Sequence, residues 1–300
     1  MKRIVVVGAG IMGARICRHF LRHGLQVALV DPSEDALKKA QETLQTPEQK
    51  PVFAQAANQL AEAWRGAEIV FEVVPEVLSL KRKVFAELEA FFETTTVIAS
   101  NTSGLRTSEL AADLRHPERF LIAHFFNPAD LIPAVEIVPG DTTTEETVTR
   151  VSTLLTQTGK KPACLQADIP GFIANRLQHA LLRECFHLME AGVADAQTID
   201  LVTRYSLGVR LALIGPLLQR DLNGLETHLN IATYLYPDLD ARETPSPILT
   251  AKVEAGAFGR KSGEGFYHWD ETQIAQMEQI EALLPEVVAL SGKTDADKEE

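Results

Sequence analysis

The 300 residues are 45% hydrophobic and 23% charged, enough apolar material for two ordinary domains, which excludes a chain disordered over most of its length. Lys+Arg 29 against Asp+Glu 41 leaves a net charge of −12 with no basic block longer than three residues, so a nucleic-acid or anionic-membrane surface is not expected. No run of ~18 uncharged apolar residues offers a membrane span, and three scattered cysteines, Cys17, Cys164 and Cys185, form neither a metal pattern nor a disulfide framework, which fits a reducing cytoplasm.

From the N-terminus, the opening MKRIVVVGAG lacks the cleavage pattern of a secretory signal. Ile4–Val7 reads as a strand, Ile11–His23 as a helix and Gln26–Val30 as a second strand. Ala36–Leu44 is predicted helical, Val52–Gln55 a short strand and Asn58–Trp64 a helix. Glu68–Val74 (strand), Leu80–Phe91 (helix) and Thr96–Ala99 (strand) follow. Phe120–Ala123 and Ala134–Val138 extend the sheet, before a helix over Glu145–Thr156 and a strand near Pro162–Gln166. Continuous apolar strands alternating with helices predict an α/β, doubly wound parallel sheet of Rossmann type covered on both faces.

Near residue 170 the pattern changes to helix alone. Leu177, Leu181, Cys185 and Leu188 place an apolar stripe on one face of Asn175–Glu190. Ala196–Tyr205, Leu217–Tyr236 and Pro247–Gly256 also read as helices. The expected organisation is a dinucleotide-binding domain over 1–168 and an all-helical domain over 169–300, with the polar tail 293–300 disordered.

The first chemical signal is Gly8-Ala9-Gly10-Ile11-Met12-Gly13, placed between the first strand and the first helix. That is the context a dinucleotide fingerprint needs: a tight turn, close backbone approach to a pyrophosphate, and close helix–strand packing. The helix N-terminus then favours the anion. Asp31, eighteen residues beyond Gly13 at the end of the second strand, suits both ribose hydroxyls and repels a 2′-phosphate, so NAD is expected rather than NADP. The bland alternative is a glycine turn in a fold that binds nothing. Strand, glycines, helix and acid in register argue against it, and the short crossovers leave little room for flavin-binding insertions.

The second signal lies at later strand ends. Ser100-Asn101-Thr102-Ser103-Gly104 ends one strand, and ligands in open parallel sheets bind outside the carboxyl ends of strands. His124 ends the next, and Glu136 lies inside the apolar run Ala-Val-Glu-Ile-Val. A carboxylate there is costly unless paired, and His124 is its natural partner. Such a pair makes a positioned base, the carboxylate fixing the tautomer and stabilising the imidazolium.

Ser100–Ser103, His124–Pro128, Val135–Glu136, Pro170–Arg176 and Lys261–Tyr267 together resemble, in order, the SNTS, HFFNP, VE, PGFxxNR and KxGEGFY motifs of the L-3-hydroxyacyl-CoA dehydrogenase family. The resemblance implies NAD-dependent oxidation of a 3-hydroxyl to a 3-keto group, first of all on a short-chain L-3-hydroxyacyl-CoA in fatty acid metabolism. It implies that His124 removes the hydroxyl proton, that Glu136 orients it, and that Ser103 and Asn175 bind the substrate oxygen. It puts Glu76 and Lys81 near the nicotinamide ribose; Asn101 is also expected to bind the cofactor, and Asn101 and Asn127 are further candidates for the site wall. Gly8, Gly10, Ile11, Met12, Gly13 and Asp31 complete the expected cofactor set. No metal is expected, and the helical domain is expected to form a homodimer.

Two departures point to another branch. Members acting on acyl-CoA carry a helical hairpin after the second strand, whereas here the corresponding segment is Thr46–Lys50, far below the ~20 residues a hairpin needs. Ala129–Ala134 after HFFNP is closer to relatives that oxidise free hydroxy acids, of the gulonate and carnitine type, with Arg176, Arg204 and Arg210 as carboxylate-binding candidates. A non-catalytic NAD-binding structural protein, as in lambda-crystallin, is the alternative from another class; the intact Ser103, His124, Glu136 set speaks against it. A lysine-dependent β-hydroxy-acid dehydrogenase is disfavoured because no lysine lies between Pro162 and Thr250.

Overall fold

A computed structural model describes residues 2–44 and 50–294. Most of Thr46–Lys50, and the tail beyond residue 294, lie outside the described residues. The chain divides into two compact units, Met1–Arg176 and Leu177–Glu300.

The first unit is built on an eight-stranded sheet in the order β3-β2-β1-β4-β5-β6-β7-β8. Its strands are β1 (Arg3–Val7), β2 (Gln26–Val30), β3 (Val52–Ala54), β4 (Ile69–Glu72), β5 (Val97–Ser100), β6 (Phe120–Phe125), β7 (Ala134–Pro139) and β8 (Lys161–Cys164). Pairing is parallel except between β6 and β7, which form an antiparallel pair. The sheet is thus parallel-dominated, as expected for a doubly wound fold, with one antiparallel pair that the strand pattern did not indicate. Alternate residues of one strand feed opposite faces: Ile4 and Val6 join one apolar cluster, Val5 and Val7 the other. Each fully buried aliphatic side chain contributes about 1.5–3 kcal/mol, and the helices α1 (Ile11–Arg22), α2 (Glu34–Thr43), α3 (Leu78–Phe91), α4 (Thr107–Ala111) and α5 (Glu145–Gln157) cover the two faces. Local chemistry starts them: Ser33 Oγ accepts from Ala36 N to cap α2, and Thr144 Oγ1 caps α5 through Thr147 N.

Asn58–Trp64 is not one helix. Two 3₁₀ turns, Ala57–Gln59 and Glu62–Trp64, flank extended backbone at Leu60 and Ala61.

The second unit continues α6 (Ala174–Glu190), whose first residues belong to the first unit. Then come α7 (Ala196–Val202), a π-helical stretch Thr203–Gly208 running into α8 (Val209–Leu211), α9 (Pro216–Asn223), α10 (Leu225–Leu235) and α11 (Pro247–Glu254). The helix expected over Leu217–Tyr236 is broken by Gly224, whose φ of +87° ends α9 and starts α10. α12 (Glu271–Glu281) and α13 (Leu284–Gly292) were not expected from the sequence. A network of Glu190 with Arg242, Ser246 and Ile248 N ties α6 to the start of α11. Among the described residues no single helix is long and apolar enough to cross a membrane.

Candidate active site

Sheet register brings the polar strand ends to one edge. Val7 pairs with Glu72, Glu72 with Ser100, and Ser100 with Ile122, two residues before His124. The strand order reverses between β1 and β4, the position where doubly wound sheets bind ligands.

At β1 the glycines have distinct physical roles. Gly8 has φ +113°, and a Cβ there would meet Val73 O at 2.6 Å. A Cβ on Gly13 would meet Gly8 O at 1.8 Å, so the turn and α1 pack backbone to backbone. Gly10 is different: it is exposed and a Cβ would touch nothing within 4 Å. The N-terminus of α1 has no side-chain cap, and Ile11 beside it is 74% exposed. Open space at Gly10 and uncapped N–H groups fit a pyrophosphate. Asp31 Oδ2 accepts from Ala9 N at 2.7 Å and Oδ1 from Ser33 N at 2.8 Å, which fixes the carboxylate beside the turn with lone pairs left for ribose hydroxyls. The chain thus has the parts to hold NAD.

Glu72, Glu76 and Lys81 form a second group. Lys81 is buried: its ammonium lies 2.8 and 3.1 Å from the two oxygens of Glu72, 3.2 Å from Val74 O and 3.4 Å from Glu76 Oε2. Its three protons are engaged inside the protein. Lys81 therefore departs from the solvated face that a Lys-Arg-Lys run suggests: its ammonium is turned inward onto Glu72 and Glu76. Glu76 Oε1 accepts from the Thr102 hydroxyl, Ser103 N (3.1 Å) and Gly104 N (3.2 Å), clamping the loop that carries Ser103. Burial raises the Glu76 pKa, but the Thr102 hydroxyl, Lys81 and Ser103 N–H outweigh it and hold the carboxyl below its ordinary range.

His124 and Glu136 meet as expected. They sit opposite each other in the β6–β7 ladder, with His124 Nδ1 2.8 Å from Glu136 Oε2 and both side chains buried. An ionised carboxylate only accepts, so Nδ1 carries the proton and Nε2 presents a lone pair. Nε2 has no partner among the described residues. The ring centroid lies 4.6 Å from that of Phe126 and 5.6 Å from that of Phe172.

Glu136 has a second function that sequence reasoning missed. Its Oε1 accepts from Ile173 N and Ala174 N, each at 2.9 Å, and so caps α6 from 37 and 38 residues away. Burial raises the Glu136 pKa, but His124 and the two N–H groups more than offset it, and the carboxyl lies below its ordinary value. The turn that delivers those N–H groups is Gly171-Phe172, with φ of +76° and +51°. A non-glycine residue in the left-handed region is strained. Full burial of the Phe172 ring holds it there. The only local signal was the Pro-Gly pair before Phe172.

Asn175, in the first turn of α6, donates from Nδ2 to Ser103 O at 2.9 Å, so the structure brings these two together through the Ser103 backbone. The Ser103 hydroxyl has no partner among the described residues. Asn101 Oδ1 accepts from Phe125 N at 2.7 Å. Of the arginines considered for a carboxylate, Arg176 donates to Pro170 O in the first unit. In the second unit Arg210 donates to Ser206 O, whereas Arg204 lies over the Tyr205 ring, and Arg204 and Tyr205 line a cavity of about 500 Å³. Among the described residues no His, Cys, Asp or Glu group is arranged to hold a metal.

Residues 3–169 match the model of the 3-hydroxyacyl-CoA dehydrogenase NAD-binding domain, and residues 171–269 that of the 3-hydroxyacyl-CoA dehydrogenase C-terminal domain. A 5-formyl-3-hydroxy-2-methylpyridine 4-carboxylate 5-dehydrogenase of Mesorhizobium japonicum is 31% identical over 98% of this chain and 99% of its own. A crystal structure of an enzyme so described, an NAD+ dependent dismutase, matches with TM-score 0.90 at 30% identity, covering 98% of this chain and 99% of that one. An L-carnitine dehydrogenase of Oceanobacillus iheyensis is 35% identical over 75% of this chain and 76% of its own. The 3-hydroxyacyl-CoA dehydrogenase of Archaeoglobus fulgidus matches with TM-score 0.72 at 31% identity, covering 97% and 99%.

Proposed function

The chain belongs to the 3-hydroxyacyl-CoA dehydrogenase family of NAD-dependent oxidoreductases, and we propose that it oxidises the 3-hydroxyl of a small free hydroxy acid to a keto group. The observation that carries this is the buried His124–Glu136 pair on the sheet edge that also bears the glycine turn. Glu136 keeps the proton on Nδ1, and His124 Nε2 takes the hydroxyl proton. Glu136 then stabilises the imidazolium across 2.8 Å. The Ser103 hydroxyl and the Asn175 amide are the donors for the substrate oxygen as carbonyl character develops. NAD, when bound, supplies the hydride acceptor.

Two observations favour a free acid over a thioester. At nearly equal identity and coverage, the fold is closer to the pyridine-carboxylate dehydrogenase than to the acyl-CoA enzyme, with TM-scores of 0.90 and 0.72. The connection from α2 to β3 spans only residues 44–51, against roughly 20 for a helical hairpin. The test is a kinetic panel pairing each 3-hydroxy acid, cyclic pyridine alcohols included, with its CoA thioester where one exists. We expect kcat/KM at least ~100-fold higher for free acids, the discrimination a charged, hydrogen-bonded group supports. A preference for thioesters would return the assignment to the short-chain L-3-hydroxyacyl-CoA.

The second unit supports a further reading, a homodimer. Leu217, Leu222, Leu225, Leu229, Tyr234 and Tyr236 on and beside α9 and α10 are all exposed, Leu217 to 81%. Exposed apolar side chains along consecutive helices suit a partner's surface, and a second copy is the commonest partner. Light scattering is expected to give twice 33.0 kDa; the mass of one chain would remove the proposal.

A further inference from the structure

The carboxyl edge of the sheet has an asymmetry at the strand that carries His124. On one side β6 is paired to its end, with His124 opposite Glu136 and Phe125 opposite Val135. On the other side the β5–β6 ladder stops at Ser100 and Ile122. The last turn of β6 would then be held from one side only, and Phe125 N would lack the carbonyl a longer β5 would offer. The Asn101 side chain occupies that position: its Oδ1 accepts from Phe125 N at 2.7 Å.

Asn101 is itself anchored. Its own N donates to Glu72 O at 2.7 Å, continuing the ladder toward β4. The Glu72 carboxylate below takes Ser100 Oγ at 2.6 Å, Val74 N at 2.7 Å and Lys81 Nζ at 2.8 Å. Glu72 and Lys81 are 0% and 1% exposed, so this platform is out of a ligand's reach.

We infer that Asn101 is a positioning residue for His124: its amide oxygen replaces the missing ladder carbonyl and fixes the end of β6, so that the imidazole meets Glu136 in one orientation. Its role runs through the Phe125 N–H and needs an acceptor. A cofactor contact would instead draw on the Nδ2 donor. Only the kinetic consequence rests on reading His124 as the base.

Asn101→Asp keeps an oxygen acceptor and removes the amide donors; Asn101→Ala removes both. Three readouts are compared in the full chain: the ¹⁵N signals of the His124 ring without substrate, NAD affinity by calorimetry, and kcat with the best substrate of the panel. In Asn101→Ala the Nδ1–H tautomer signature is expected to be lost or mixed and kcat to fall about 100-fold, the effect of a displacement near 1 Å, at unchanged NAD affinity. In Asn101→Asp the signature and the NAD affinity are expected to match the wild type, with most of kcat restored. An unaltered signature in Asn101→Ala overturns the inference, as does NAD affinity lost in Asn101→Asp. Should Asn101→Ala not fold, Asn101→Asp decides alone by the same two readouts. The ring signals require no turnover, so a protein that oxidises no 3-hydroxy compound defeats the proposed function and still leaves this inference decidable.

Discussion

Glu136→Gln is expected to lower kcat by about 1,000- to 10,000-fold, the effect of an acid-to-amide change beside a catalytic histidine elsewhere, while the fold survives. Glu136 faces two kinds of partner: donors from Ile173 N and Ala174 N at Oε1, and His124 Nδ1 at Oε2. A glutamine satisfies the first only with its oxygen toward α6, since the reverse orientation sets its amide protons against two N–H groups. Its NH₂ then points at Nδ1, which must become an acceptor. The imidazole proton moves to Nε2, and the lone pair needed for a hydroxyl proton is gone.

The same variant carries a pH signature with a definite sign. Folding lowers the Glu136 pKa, so the ionised carboxylate stabilises the protein above its unfolded value of about 4.3. That contribution is lost as pH falls through the lower folded value. The stability gap between wild type and Glu136→Gln, on the order of 1 kcal/mol for a charged helix cap, is therefore expected to be full at neutral pH and to close in acid. Urea unfolding at a series of pH values measures it; a gap that widens in acid would contradict the cap.

The second large effect separates cofactor binding from folding within a single turn. Gly13→Ala places a methyl 1.8 Å from Gly8 O, with only backbone on either side to give way, and is expected to cost about 3 kcal/mol of stability. Gly10→Ala meets nothing within 4 Å and has ordinary dihedrals, φ −68° and ψ −174°, so thermal unfolding is expected to match the wild type. Its methyl occupies the space a pyrophosphate needs. NAD affinity is expected to fall about 100-fold, or roughly 2.7 kcal/mol. A Gly10→Ala protein that binds NAD normally would remove this turn from the cofactor site.

Much of the first unit was legible because its signals are local. β-branched runs marked the strands within one or two residues, and the glycine turn and Asp31 followed from their positions beside β1 and β2. The pairing of His124 with Glu136 was also readable, since a carboxylate in an apolar strand requires a partner. What escaped depended on distant partners. Nothing near Glu136 announces that it caps α6, and nothing in Lys-Arg-Lys reveals that Lys81 folds inward onto Glu72. The antiparallel direction of β7 is set by a connection whose path no periodicity encodes. In the second unit helical periodicity was read correctly for α6, but Gly224 splits what looked like one long helix. A left-handed glycine there competes with an apolar pattern that runs through it.

The most direct measurement is a single-turnover experiment with NAD-saturated wild type and Glu136→Gln, using the best substrate of the panel and following NADH formation. Hydride transfer is expected to be slowed at least about 1,000-fold in the variant, with NAD affinity unchanged in the same samples. Equal rates in the two proteins would contradict it, because the proton would then be leaving the hydroxyl without the imidazole tautomer that Glu136 enforces.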